Sequence, residues 1–161
     1  MEILDLYDDN GVKLNETIVR GEKTETGKNI MLSVVYIQDS DGRYLIQKTS
    51  KEKGNKYSTT GGHVTHNEDA ITTIVRELKE ELGINIKSDK LEFVSMFKYP
   101  TKNCIFNIYN MNLDKIDIKN IILQDSEVES VKLMTKEEIV KNIDDGNFLE
   151  SHGYIFKHFI N

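Results

Sequence analysis

The sequence predicts an α+β chain: an α/β/α sandwich around a mixed β-sheet, preceded by an N-terminal β-hairpin. Three observations predict it. The candidate elements run β-β-β-β-β-α-β-β-β-α, an order that suits helices packed on a mixed sheet. One long helical pattern stands midway, between two blocks of strands. The 161 residues, 38% of them hydrophobic, are enough to bury one core, so residues 1–161 are expected to form a single domain.

The hairpin occupies about residues 1–21. Its first arm, Ile3–Tyr7, alternates apolar and polar residues, Asn10-Gly11 supplies a strong turn signal, and Val12–Gly21 returns. Glu22–Asn29 is a polar loop. Ile30–Gln38 is a β-branched apolar run that reads as a buried strand, and Arg43–Ser50 is its neighbour across the Asp39–Gly42 turn. A charged loop, Lys51–Lys56, leads to a short strand, Tyr57–Val64, broken by Gly61 and Gly62. Residues 67–82 read as the long helix, with Asn67 as N-cap, Glu68 and Asp69 at the positive end of the dipole, and Gly83 as the stop. Leu91–Tyr99, Cys104–Leu113 and Val128–Met134 are further strands, whereas Asp114–Glu127 shows no clear period. Thr135 with Glu138 forms a capping-box pattern for a second helix over 135–144, and 148–160 reads as a last short helix.

Composition excludes several functions. The net charge of -6 argues against general nucleic-acid binding, which needs a basic footprint. It leaves small anionic substrates open, because a bound cation reverses the local field. With one cysteine, Cys104, neither an intrachain disulfide nor a thiolate metal site is available, and a buried structural thiol is its expected role. The acidic start, MEILDLYDDNG, does not resemble a signal peptide, and no apolar run approaches a membrane span. The cytoplasm is the expected location. The hairpin offers a strand edge through which a homodimer could pair.

The long helix carries the chemistry. At about 100° per residue, Glu77, Glu80 and Glu81 share one face, while Ile71, Val75, Leu78 and Leu82 form the apolar stripe with Ile74 at its edge. Arg76 stands beside the carboxylates and Lys79 points away. An acidic helix face is commonly just solvated. Here two features point elsewhere. Carboxylates near a helix C-terminus oppose the macrodipole, which costs stability unless a cation offsets it. Gly61-Gly62 just before the helix marks a close backbone approach. Carboxylates with a backbone carbonyl make a hard oxygen set, which suits Mg2+ or Mn2+ rather than zinc.

The segment from Gly62 to Ile84 reads glycine, five residues, Glu68, seven residues, Arg76-Glu77-Leu78-Lys79-Glu80-Glu81-Leu82-Gly83-Ile84. Filled at every specified position, it resembles the box of the Nudix hydrolases. Thr60 replaces a proline common in the family, and Asn67 a second glycine. The resemblance implies a divalent-cation-dependent pyrophosphohydrolase that cleaves a phosphoanhydride bond in a nucleoside diphosphate linked to another moiety, or a similar diphosphate. It implies Glu80 and Glu81 as main metal ligands, Glu77 as further ligand or general base, the Gly61 carbonyl as a backbone ligand, and Arg76 orienting Glu77. Glu68 would brace the loop–helix junction, and Glu127 or Glu129 could add a distant carboxylate.

The GGHV wording and Arg20-Gly21 resemble the branch related to isopentenyl diphosphate isomerases, which makes an isomerase-like enzyme one alternative. That reaction needs a cysteine at the start of the box, where this chain has Ser58-Thr59-Thr60. A non-catalytic nucleotide-binding module on the same fold is the other alternative. Of the remaining candidates, His63 and His66 are expected to be exposed loop residues and Lys48, Lys51 and Lys53 a solvated loop. The aromatics Tyr57, Phe97, Tyr99 and Phe106 are expected in the core.

Overall fold

The computed structural model describes all 161 residues. Strands β1 (Ile3–Tyr7) and β2 (Lys13–Val19) form the expected antiparallel hairpin. Then follow β3 (Ile30–Gln38), β4 (Tyr44–Thr49), β5 (Tyr57–Ser58) and β6 (Thr60–His63), the long helix α1 (Ala70–Leu82), β7 (Glu92–Lys98), β8 (Cys104–Asn112), β9 (Val128–Met134), and helices α2 (Lys136–Asp144) and α3 (Glu150–Ile155). The sheet is mixed, as predicted. β3 runs parallel to β8 and antiparallel to β6, β8 is antiparallel to β7, and β4 pairs with β9 and β5. A single pair, Gln38 with Tyr44, joins the two halves, so the sheet splays open between β3 and β4.

The period of two along β3 sorts its side chains into two cores. Val34 and Tyr36 pack with Ile46, Phe106 and Ile108 against Ile139 of α2, Ile155 of α3 and Phe156 just after it. Val35 and Ile37 pack with Leu45, Tyr109 and Met111 against Ile74, Leu78 and Leu82 of α1. Helices therefore cover both faces. Burying each of those three α1 side chains contributes about 1.5–3 kcal/mol. Ile74, expected at the edge of the stripe, is fully buried at its centre. Tyr99 and Phe106 lie in the core as expected, and so does the Cys104 thiol, whose pKa burial raises.

Two termini differ from expectation. α1 starts at Ala70, and its N-cap is Asp69, whose carboxylate accepts from Thr72 N–H at 2.8 Å. Asn67 sits in the left-handed region (φ 63°) inside the preceding turn, where an asparagine satisfies a turn as readily as a cap. At the other end, Gly83 takes φ 67° and closes the helix as predicted. The last helix is shorter than expected: α3 ends at Ile155, and a wider π turn continues over Phe156–Ile160.

The aperiodic stretch 114–127 holds only one short 3-10 turn, Ile118–Asn120. Its backbone does other work. Ile122 N–H donates to Leu82 O at 3.0 Å and Gln124 N–H to Glu81 O at 3.0 Å. It thus satisfies carbonyls that the end of α1 leaves without intrahelical partners.

Candidate active site

β6 and α1 face each other, and the glycine pair explains how closely. A Cβ at Gly62 would lie 2.5 Å from Cδ of Glu77, and one at Gly61 would lie 2.7 Å from Ser33 O. Only hydrogen fits at either place. The ladder also sets the direction of the Gly61 carbonyl. Val64 N–H donates to Met31 O at 2.9 Å, so alternation makes Ser33–Gly62 the next bonded pair and Val34–Gly61 a non-bonded one. The Gly61 carbonyl therefore points away from β3, and Gly61 lines a cleft of about 220 Å3 together with Glu81.

Arg76 organises the acids. Its Nε and Nη2 donate to the two oxygens of Glu68 at 2.8 and 3.0 Å, a bidentate fork. Nη1 donates to Glu77 at 2.9 Å and to Glu80 at 3.3 Å. Nη2 also reaches the His63 carbonyl at 3.3 Å. Burial pushes the Glu68 carboxyl up, but the Arg76 guanidinium and the Thr73 hydroxyl outweigh it and hold the pKa down to about 2. Glu68 thus braces the junction of loop and helix, and Arg76 bridges it to Glu77.

Glu81 is in a different state. It is 7% exposed, and one of its oxygens accepts from Gln47 Nε2 at 2.9 Å. Gln47 in turn accepts from Thr60 Oγ1 at 2.8 Å. Burial raises the Glu81 pKa to about 8, against the Gln47 hydrogen bond and with help from Glu77. Burial raises Glu77 as well, against Arg76. The two carboxyls lie near enough for each to bear on the other's charge. A divalent cation fits that arrangement, since it would offset the repulsion between two neighbouring carboxyl groups beside a backbone carbonyl. No three acidic or histidine side chains are already drawn together as a ligand set. Glu80, one of the three on the nominated face, is half exposed at the rim and leans towards Arg76. The nominated trio is therefore one buried carboxyl, Glu81, one partly buried, Glu77, and a third, Glu80, exposed.

Several residues lie elsewhere than the sequence implied. His63 lines the cleft, and burial and then Arg20 lower its pKa to about 4, so its ring is neutral at pH 7. His66 is half exposed as expected, yet its Nδ1 lies 2.7 Å from the buried Asp5. His152 is buried under the cleft, its Nδ1 accepting from Thr59 N–H at 3.2 Å. Lys53 is solvent-exposed as expected, yet it also lines the cleft, 3.6 Å from Glu127. Glu127 lines it too, carried there by the 114–127 segment, whereas Glu129 does not. Gln47 and Arg20 complete the wall, and neither had been nominated for it.

A family model described as NUDIX domain matches residues 29–157. The chain belongs to the Nudix family. Its enzyme class is accordingly that of a Nudix hydrolase. An uncharacterised Nudix hydrolase of Listeria innocua is 29% identical over 155 residues, covering 92% of this chain and 89% of the relative. A crystal structure of the protein DR0079 of Deinococcus radiodurans superposes with a TM-score of 0.75 at 21% identity, covering 91% of each chain. A bifunctional NMN adenylyltransferase/ADP ribose pyrophosphatase of Francisella tularensis, solved with AMP and manganese, gives a TM-score of 0.66 at 21% identity, over 85% of this chain and 41% of that one. These likenesses confirm the α/β/α sandwich. No helix is long and apolar enough to cross a membrane.

Proposed function

We propose that the chain is a divalent-cation-dependent pyrophosphohydrolase acting on a nucleoside diphosphate linked to a further group. The observation that carries this is the neighbouring carboxyls of α1, Glu77 packed against Gly62 and the buried Glu81 lining the cleft with Gly61, whose carbonyl turns away from β3. Glu77, Glu81, the Gly61 carbonyl and Glu80 at the rim would hold Mg2+ or Mn2+. A bound cation would neutralise phosphoryl charge and lower the pKa of a water. Arg76 holds Glu77 against Gly62 at the edge of the cleft, and Gln47 fixes one oxygen of Glu81 and leaves the other for the ligand. Glu77 takes the role of further ligand or of proton acceptor for the attacking water.

The cleft continues past His63 and Leu32 into a second chamber of about 270 Å3, lined by Ile30, Tyr99, Cys104 and Phe106 with Asn103 and Ser151 among its polar groups. An apolar chamber with a few polar groups suits the base or other group attached to a diphosphate. The ADP ribose pyrophosphatase relative and an Ap4A hydrolase of C. elegans, with a TM-score of 0.53 at 20% identity over 80% of this chain and 93% of that one, support a nucleotide. The isomerase-like alternative would have to work without a cysteine in the carboxylate cleft, because Cys104 opens into the second chamber instead.

The test is product analysis on a panel of nucleotide and isoprenoid diphosphates, with and without magnesium. Cleavage at a phosphoanhydride bond only with the metal supports the reading. Isomerised product, or cleavage indifferent to metal removal, overturns it.

A further inference from the structure

We propose that the N-terminal hairpin supplies a substrate-binding residue to the cleft: Arg20, holding a phosphate of the substrate. This rests on the pyrophosphohydrolase reading. The family match begins at residue 29, so Arg20 lies before it. Yet Arg20 lines the same cleft as Gly61 and Glu81. It and Lys53 are the basic side chains of that wall, which otherwise carries the acids Glu81 and Glu127. A diphosphate entering there meets Coulomb repulsion from the carboxylates, and these two cations are what the chain itself offers against it.

The hairpin holds Arg20 in place. Its backbone N–H donates to Glu2 O at 3.0 Å, just beyond the last β1–β2 pair, Ile3 with Val19. The hairpin is fixed to the rest of the fold at three points. Tyr7 and Asn29 exchange two backbone hydrogen bonds of 2.8 and 2.7 Å, and His66 N–H donates to Ile3 O at 2.8 Å. The buried Asp5 carboxylate accepts from Asn67 N–H at 3.0 Å, with Lys13 and His66 at 3.0 and 2.7 Å. Arg20 therefore sits on a braced support, not on a loose arm.

Its guanidinium is only partly engaged. Nη1 donates to Glu2 at 2.7 Å, and the side chain remains 47% exposed. A guanidinium has five N–H donors in a planar fork that matches carboxylate and phosphate alike. Glu2 occupies one arm of the fork as a placeholder. An arriving phosphate takes the free arm or displaces Glu2. Lys53 stands in the same relation to Glu127, at the longer distance of 3.6 Å.

The test uses R20Q, R20K and E2Q in the full chain. Calorimetry measures binding of inorganic pyrophosphate with magnesium, and steady-state kinetics follow the best substrate of the panel. R20Q should weaken pyrophosphate binding and raise KM by about tenfold or more, with a much smaller change in kcat, as for loss of a charge-assisted hydrogen bond made in ground and transition state alike. R20K should recover part of the loss. E2Q breaks the same ion pair but frees the guanidinium, so KM should fall or stay level. Equal increases of KM in R20Q and E2Q would mean that the ion pair is merely structural, and would overturn the proposal. So would an unchanged KM in R20Q. Should R20Q not fold, a raised KM in E2Q overturns the proposal and a lowered one supports it. If the wild type cleaves nothing on the panel, the hydrolase reading falls, while pyrophosphate binding still reads Arg20. Absence of pyrophosphate binding by the wild type overturns Arg20's role as well.

Discussion

Replacing Gly62 with alanine separates catalysis from stability. Gly62 has no positive φ, so its backbone accepts alanine. The added methyl, however, would lie 2.5 Å from Glu77 Cδ, about 0.9 Å short of an ordinary contact of 3.4 Å. The neighbour that must give way is the end of a flexible side chain, so the fold loses little. What moves is the carboxylate that Arg76 holds at 2.9 Å. A displacement of about 1 Å in a reacting group costs about 100-fold in rate. Magnesium-dependent turnover of G62A should fall by that factor, while its thermal midpoint stays close to wild type. G61A is the contrast: its methyl would meet the Ser33 carbonyl and Val34, which belong to the sheet, so stability should fall with activity. Wild-type turnover in G62A would refute the placement of Glu77. Loss of turnover only through unfolding would refute the steric argument.

Glu81 predicts a pH dependence. Its folded pKa of about 8 lies above the ordinary 4.5, so the folded chain binds the extra proton and loses stability as pH rises through that window. Without metal, E81Q should gain on wild type between pH 4.5 and 8 in urea unfolding, and magnesium should shrink the gap. Glu68 has the opposite sign. E68Q should cost about 1–3 kcal/mol at neutral pH, a loss that fades as pH falls from 4.5 towards 2 and wild-type Glu68 takes its proton. On the α1 face of the sheet, Leu78→Ala should cost about 2–5 kcal/mol in the same unfolding assay. The buried Cys104 thiol, its pKa raised, should react slowly with an aromatic disulfide in the native protein and fully in urea.

Much of this site is written locally in the chain. The 3.6-residue period places Leu78 and Leu82 on the sheet and the glutamates beside them, and the glycine pair announces a close approach. What stays hidden is set by pairing across long separations. Gln47 reaches Glu81 because β4 and α1 flank the same cleft, and no sequence pattern links residues 34 apart. The same holds for Glu127, which arrives because an aperiodic segment satisfies the end of α1. The depth of Glu81 has a related cause. Once Ile74 is central, the buried sector of the helix turns towards Glu81 and leaves Glu80 at the rim. At the helix start, Asn67 and Asp69 are both good caps, and only the Asp5 carboxylate on the Asn67 N–H, supplied by the distant hairpin, decides between them.

The most direct test of the central claim is turnover of the preferred diphosphate by wild type and E81Q as magnesium is titrated. The account predicts magnesium-dependent cleavage by the wild type, with a folded E81Q inactive at every magnesium concentration. An E81Q enzyme that reaches wild-type rates with the same magnesium dependence would contradict it.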